Sequence, residues 1–289
     1  VRILGVHGVG NFRAAQPPNQ AAAQLADIWH GALSRGEPRK CGVAQKRREE
    51  VAVAYYADLL RRQGSQGSDD LDSLDDFERD LVALWLDACG LPDATAAGRA
   101  TAPLRQALAW LARTRGLGQS ATEWFVAVCF REVATYLRGP ARQQVCSRVA
   151  DALAAHQPTV VIAHSLGSVV AYETLWAHPE LSVELLVTLG SPLALPYVIF
   201  PRLQPAPVDQ KGQRPPNVVS WVNLADPGDL VALPPGGIKR CFDGAQEPEN
   251  KPIHAFDFHK ATNYLATSQL HNLLQKYACL PSHLDPRPP

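Results

Sequence analysis

Two periods of apolar residues run along this chain. Short runs of aliphatic and β-branched residues occur at Arg2-Ile3-Leu4-Gly5-Val6, Val51-Ala52-Val53-Ala54-Tyr55-Tyr56, Val160-Val161-Ile162-Ala163, residues 183–189 and Val218-Val219-Ser220-Trp221-Val222-Asn223-Leu224. Runs of this length predict buried parallel strands. Between the first two, Ala22, Leu25, Ile28, Trp29 and Ala32 recur at helical spacing and predict a helix over residues 19–34. The chain thus opens strand, helix, strand, the beginning of a parallel sheet.

Roughly 100 residues of mostly helical pattern separate the second and third strands. Leu74, Phe77, Leu81, Leu84, Trp85 and Ala88 mark one helix, with Ser73-Leu74-Asp75-Asp76 as its cap and acidic start. Pro103 opens another, with Leu104, Leu108 and Leu111 on one face. Ser120-Ala121-Thr122-Glu123 reads as the capping box of a third, whose buried candidates include Trp124, Val128 and Tyr136. Gly139-Pro140 ends it, and residues 143–156 form a fourth. One helix suffices for a crossover, so the remainder is read as a helical cap inserted at about residues 58–118. Trp85, Trp110 and Trp124 either line a substrate channel or pack the cap onto the sheet, the commoner fate of such side chains.

The Gly/Ser/Asp-rich residues 64–76 predict a loop, and their aspartates lack the spacing of a calcium loop. Residues 193–217 and 234–252 are Pro-rich and aperiodic, hence loops. Ala255-Phe256-Asp257-Phe258 reads as a last short strand, residues 263–277 as the last helix and 281–289 as a frayed tail. The expected fold class is α/β: a single domain over residues 1–289, with a mostly parallel central sheet flanked by helices.

Composition narrows the partners. Hydrophobic residues make up 46% of the 289, enough for a sizeable core. Lys and Arg number 28 and so do Asp and Glu, which excludes a general polyanion binder, so no nucleic-acid partner is expected. The basic cluster Arg39-Lys40 and Lys46-Arg47-Arg48 reads as a solvated face. The six cysteines form no C-x-x-C pair, so no zinc site and no other metal or cofactor is expected. Cys89, Cys129 and Cys146 fall in helical patterns as small hydrophobes. No apolar run is long enough to span a bilayer, and no leader pattern is visible. The expected location is the cytoplasm, with a secreted mature form as the alternative, because the chain does not open on methionine. Oligomeric state leaves no mark in the sequence.

Open parallel sheets carry their chemistry at the carboxyl ends of the strands. Those ends hold His7-Gly8-Val9-Gly10, Ser165, Gly190-Ser191-Pro192, Asp226 and Asp229, and then His259. Ser165 stands between an apolar strand and a helix-compatible stretch, with small residues, Ala163 and Gly167, two positions to either side. A serine at the tip of a strand-to-helix turn needs small neighbours, because bulky ones collide with the adjacent strand and helix. Its hydroxyl is a weak nucleophile without a base. The histidines placed for that role are His259, His254 and His271; the acids that end the preceding strand are Asp226 and Asp229. Leu166, opening the helix, offers a backbone N–H to a developing oxyanion.

In this order the pieces resemble the α/β-hydrolase superfamily, in style the lipases and esterases. The matching stretches are Val6-His7-Gly8-Val9-Gly10, Ala163-His164-Ser165-Leu166-Gly167, Thr188-Leu189-Gly190-Ser191-Pro192, Asp229-Leu230-Val231-Ala232-Leu233-Pro234, and His259 leading into Asn263-Tyr264-Leu265. Ala163 departs from the glycine usual there. The resemblance implies an α/β-hydrolase fold and a serine hydrolase cleaving a carboxylic ester through an acyl-enzyme. It implies Ser165 as nucleophile, His259 as base, Asp229 as acid, and the N–H groups of Val9 and Leu166 as oxyanion hole. His7 and His164 then support the site without reacting, and Asp226 holds the turn. The large apolar-leaning cap favours a small-molecule substrate with a hydrophobic ester, acyl or polyketide-like group over a small polar one. The same machinery also fits an acyltransferase, a cyclase, a thioesterase-type enzyme or amide cleavage, and the fold alone fits a non-catalytic binding protein. Every catalytic version requires the three side chains to converge at a common rim with the Ser165 hydroxyl open.

Overall fold

The computed structural model describes residues 1–36, 50–61, 71–91, 101–249, 252–253 and 259–278. The basic cluster, Cys41, Cys279, His254, the run 255–258 and the tail 281–289 lie outside the described residues.

The strands are β1 (Arg2–Val6), β2 (Glu50–Ala54), β3 (Val160–His164), β4 (Val183–Leu189), β5 (Gly212–Gln213), β6 (Val218–Leu224), β7 (Phe242–Asp243) and β8 (Ala245–Gln246). Six of them form a sheet in the order β2-β1-β3-β4-β6-β8, and every described pairing in it is parallel. β5 pairs with β7 outside it. The helices are α1 (Pro18–Arg35), α2 (Asp76–Ala88), α3 (Thr101–Arg115), α4 (Gln119–Leu137), α5 (Ala141–His156), α6 (Leu166–Ala177), α7 (Gly237–Cys241), α8 (Ala261–Leu265) and α9 (Ser268–Ala278).

Strand residues alternate between two cores, as a period of two requires. Ile3, Val160, Ile162, Leu185 and Val187 face α1, α8 and α9. Leu4, Val6, Val161, Ala163 and Leu186 face the helices of residues 76–177. From β1 the chain moves outward to β2, then returns to place β3 on the other side of β1. The strand order therefore reverses between β1 and β3, and the crevice beyond their carboxyl ends is where such sheets accept ligands. The loop His7–Gly10 and Ser165 flank that crevice.

Several elements differ in detail from the pattern. α1 turns Ala21, Leu25, Trp29, Ala32 and Leu33 inward, while Ile28 is 43% exposed, a stripe rotated slightly from the one read above. α2 starts with a capping box formed by Asp75 and Glu78. The Ser120–Glu123 box does not form. α4 begins earlier, with Gly118 as its cap, and the Thr122 hydroxyl bonds back to the Gly118 carbonyl at 2.9 Å. Trp124 is consequently 53% exposed, Val128 is half-buried and Tyr136 is buried. The last helix is two, α8 and α9. Thr267 separates them, its hydroxyl donating to the Tyr264 carbonyl and accepting from Leu270 N–H, which caps α9. The Pro-rich loops carry the short elements β5, α7, β7 and β8. Cys89, Cys129, Cys146 and Cys241 are free thiols.

Gly5 in β1 faces the Trp29 ring, and a Cβ there would lie 2.7 Å from two ring carbons. Gly5→Ala is expected to lower stability by about 1–3 kcal/mol through overpacking. Trp29→Leu clears the ring, so the double variant should be less destabilised than the sum of the singles. Urea unfolding of the three variants checks this, and strict additivity would contradict it.

Candidate active site

The site is built on the turn between β3 and α6. Ala163 pairs with Val6 on one side and Thr188 on the other, so the end of β3 is gripped by two neighbours. Ser165 N–H still donates to the Leu189 carbonyl at 3.0 Å. The chain then turns into α6 with Ser165 at φ 55°, ψ −132°, a strained conformation for a residue bearing Cβ. Gly167 lies against the end of β1: a Cβ there would collide with the Val6 and His7 carbonyl oxygens and come within 2.8 Å of the Val6 carbonyl carbon. Gly8 is equally confined, since its Cβ would lie 2.5 Å from Ser165 Cβ.

Three side chains from distant segments meet here. Ser165 Oγ is 2.6 Å from His259 Nε2, and His259 Nδ1 is 2.8 and 3.1 Å from the two oxygens of Asp229. An ionised carboxylate only accepts, so Nδ1 carries the ring proton and Nε2 is left to accept from Ser165. Gly190, at φ 53°, makes room for the trio. A Cβ there would sit 2.7 Å from Asp229 Oδ2 and 3.2 Å from His259 Nδ1. The neighbouring Ser191 steadies the turn from beneath: its hydroxyl is 2.7 Å from Ser168 Oγ, which donates to the Ser165 carbonyl at 2.6 Å.

Asp229 is 1% exposed. Burial pushes its carboxyl up, but the charge and hydrogen bond of His259, together with bonds from Tyr264 and Val231 N–H, outweigh burial and leave it below the usual range. Tyr264 OH donates to Oδ2 at 2.7 Å and accepts from Asp226 N–H at 2.9 Å. Asp226 is turned elsewhere. Its carboxylate receives Gly228 N–H at 2.7 Å, an Asx turn, and also Ile253 N–H. His271, on α9, bonds Gln275 and does not reach the trio.

The other two histidines flank the site. His7 Nδ1 is 2.7 Å from the Gly8 carbonyl, its Nε2 accepts Tyr56 N–H at 3.2 Å, and its ring stacks on Tyr56. Burial, partly offset by the Gly8 bond, lowers its pKa to about 4, so it is neutral. His164 packs 4.7 Å from His259; burial and then the His259 charge hold it well below the ordinary histidine value. Val9 follows Gly8 in the loop after β1, and Leu166 follows Ser165. Leu166 is the first residue of α6, and its N–H has no intrahelical acceptor. Gly8 abuts Ser165: a Cβ on it would also lie 3.1 Å from Ser165 Oγ.

Ser165 is itself only 2% exposed, which corrects the expected open rim: the three side chains do converge, but α2 and α4 close over the hydroxyl. Above it is an apolar cavity of about 30 Å³, lined from α2 by Trp85, from α4 by Phe125, Phe130 and Val133, and from later loops by Ile199 and Val231. Trp85 Nε1 donates to the Leu230 carbonyl at 2.8 Å, pinning α2 to the loop that carries Asp229. Trp110 and Trp124, at 49% and 53% exposure, neither line this cavity nor pack inward.

Among the described residues, no group of three or more His, Cys, Asp or Glu is placed to hold a metal ion, and no helix is long and apolar enough to cross a membrane. Tyr264, Tyr56, Asn11 and Glu132, to which the sequence assigns no site role, all hold site segments in place. Tyr264 had a signal, its spacing of five residues from His259; Glu132 had none. Comparison with models of protein families, with curated proteins and with solved structures finds no match to this chain.

The buried neutral imidazole gives a pH signature. His7 titrates near 6.5 when unfolded and near 4 when folded. Between those values the unfolded chain binds the extra proton, so stability falls as pH drops from 6.5 towards 4, by up to about 3 kcal/mol from this group. His164 acts in the same direction, whereas the stabilisation from Asp229 is lost only at lower pH, as it falls through that group's depressed pKa. Urea midpoints at pH 7 and 4.5 should differ in the wild type and differ less in His7→Gln; equal pH slopes would contradict the assignment.

Proposed function

We propose that this chain is a serine hydrolase of the α/β-hydrolase type, cleaving carboxylic esters with hydrophobic acyl groups through an acyl-enzyme. One observation carries the reading: the unbroken hydrogen-bonded line from Ser165 through His259 to Asp229, with Ser165 in strained backbone at the strand-order reversal. Strain of this kind persists where surrounding structure enforces it, and it clusters at reactive sites.

In this reading His259 Nε2 takes the Ser165 proton as Oγ attacks the ester carbonyl carbon. The carbonyl oxygen becomes an oxyanion, met by the N–H groups of Val9 and Leu166, with the α6 N-terminus favouring its charge. Asp229 stabilises the imidazolium, and Tyr264 keeps that carboxylate in register. The imidazolium then protonates the departing alkoxide. Water, deprotonated by His259, releases the carboxylic acid and restores the Ser165 hydroxyl. α2 and α4 cover the serine and act as a cap that reaches past the expected residues 58–118 and must move aside to admit substrate; their apolar lining supports a hydrophobic acyl group over a polar one.

The closed cover favours one second reading. A serine at 2% exposure under a cavity of about 30 Å³ is screened from bulk water, which suits transfer of the acyl group to an alcohol, amine or thiol. Product analysis with water and an added alcohol separates the two: predominance of transfer product would replace hydrolase by acyltransferase.

With a p-nitrophenyl ester as substrate, Ser165→Ala and His259→Ala are each expected to lower kcat by at least ~10³-fold, and Asp229→Asn by about 10²–10⁴-fold. Asp226→Asn should cost less than about tenfold, since its carboxylate serves a turn. A larger loss at Asp226 than at Asp229 would overturn the acid assignment.

A further inference from the structure

The geometry points to Glu132 as a positioning residue that holds the loop after β1 so that the Val9 N–H meets the oxyanion. The inference rests on the ester-cleaving reading above. Val9 stands between Gly8 and Gly10, the latter at φ 74°, so the chain itself does little to fix the direction of its N–H. Side chains fix it instead. The Gly8 and Val9 carbonyls both accept from Asn11 Nδ2, at 2.9 and 3.1 Å, and Gly8 O also meets His7 Nδ1. A trans peptide points its C=O and N–H in opposite directions, so tying Gly8 O to Asn11 and His7 turns Val9 N–H the other way. The next peptide plane is pinned at both ends as well: Val9 O by Asn11, and Gly10 N–H by Glu132 Oε2 at 3.0 Å.

Of these anchors only Glu132 comes from the cap. It is 6% exposed on α4, between Cys129 and Val133, which line the cavity over Ser165. A carboxylate so buried is costly unless its oxygens are occupied, and the backbone N–H of a flexible glycine is an apt partner. The helix that would contact the acyl group therefore also fixes the donor that would meet the oxyanion. Pre-set donors of this kind are worth most when they need not reorganise during the reaction.

The test compares wild type, Glu132→Ala and Glu132→Gln by ester-hydrolysis kinetics and by inhibition with an arylboronic acid, which forms a tetrahedral serine adduct. Glu132→Ala is expected to lower kcat by about 10–100-fold, part of the cost of losing a whole oxyanion donor, with KM nearly unchanged. The boronate Ki should rise by a similar factor, because the adduct uses the same donors. Glu132→Gln keeps a side-chain oxygen for Gly10 N–H and should recover to within about threefold of wild type. If Glu132→Ala does not fold, Glu132→Asp, one methylene short of the loop, carries the same expectation. A rise in KM at constant kcat, an unchanged boronate Ki, or no recovery in Glu132→Gln would overturn the role of Glu132 while leaving the hydrolase reading intact. Wild-type protein that neither hydrolyses esters nor binds the boronate would overturn that reading, and this inference with it.

Discussion

Between the turn that carries Ser165 and the end of β1 there is room for a hydrogen atom and nothing larger. Gly167 presses its Cα against the Val6 and His7 carbonyls, and Gly8 presses back against Ser165. This two-sided contact lets α6 start directly over the strand-order reversal, where Ser165 stands at φ 55°. Holding a side-chain-bearing residue there costs on the order of 1–3 kcal/mol. The ladder bonds of β3 to β1 and β4, together with Ser165 N–H to Leu189 O, offset that strain. Once the hydroxyl is fixed, the other parts are placed by their strands. β4 ends in Gly190, whose missing side chain admits the imidazole and carboxylate, and β6 leads to Asp229.

The trio lies out of bulk solvent. Ser165, Asp229 and His259 are all buried, with His164 and Phe125 against the imidazole. In such a medium a charge interacts strongly with fixed dipoles, and an unpaired one is costly. Asp229 meets this demand with bonds to its two oxygens from His259, Tyr264 and Val231 N–H. The cover is attached to the same loops it shields: Trp85 of α2 bonds the residue after Asp229, and Glu132 of α4 bonds the loop after β1. A cavity of about 30 Å³ is on the scale of one or two waters, so under the proposed reading an acyl chain has to displace side chains of α2 and α4 to reach the serine.

Much of the architecture is legible in the sequence because strands buried on both faces write continuous apolar runs. β1, β3, β4 and β6 are read from such runs, and so is the turn at Ser165, where local sterics dictate small residues. Chain order and strand ends lead to Ser165 and narrow its partners to Asp226 or Asp229 and to His254, His259 or His271; the choice of Asp229 and His259 rests on the resemblance. Less legible are features decided by tertiary contact. The outer strand β8 has two residues and no pattern of its own. α4 overrides a plausible capping box because Gly118 starts the helix earlier. Trp124 sits on the exposed side of α4 although its residue type suggests burial. Glu132 bonds a loop 122 residues away, a distance no local signal spans. The depth of Ser165 beneath its cover likewise depends on how α2 and α4 pack, which periodicity does not encode.

The most direct test of the central claim is chemical. Intact protein treated with a fluorophosphonate and digested for mass spectrometry should carry a single phosphonyl group, on the peptide containing Ser165. An unmodified protein, or a group found on any other residue, would contradict an activated serine at the β3–α6 turn.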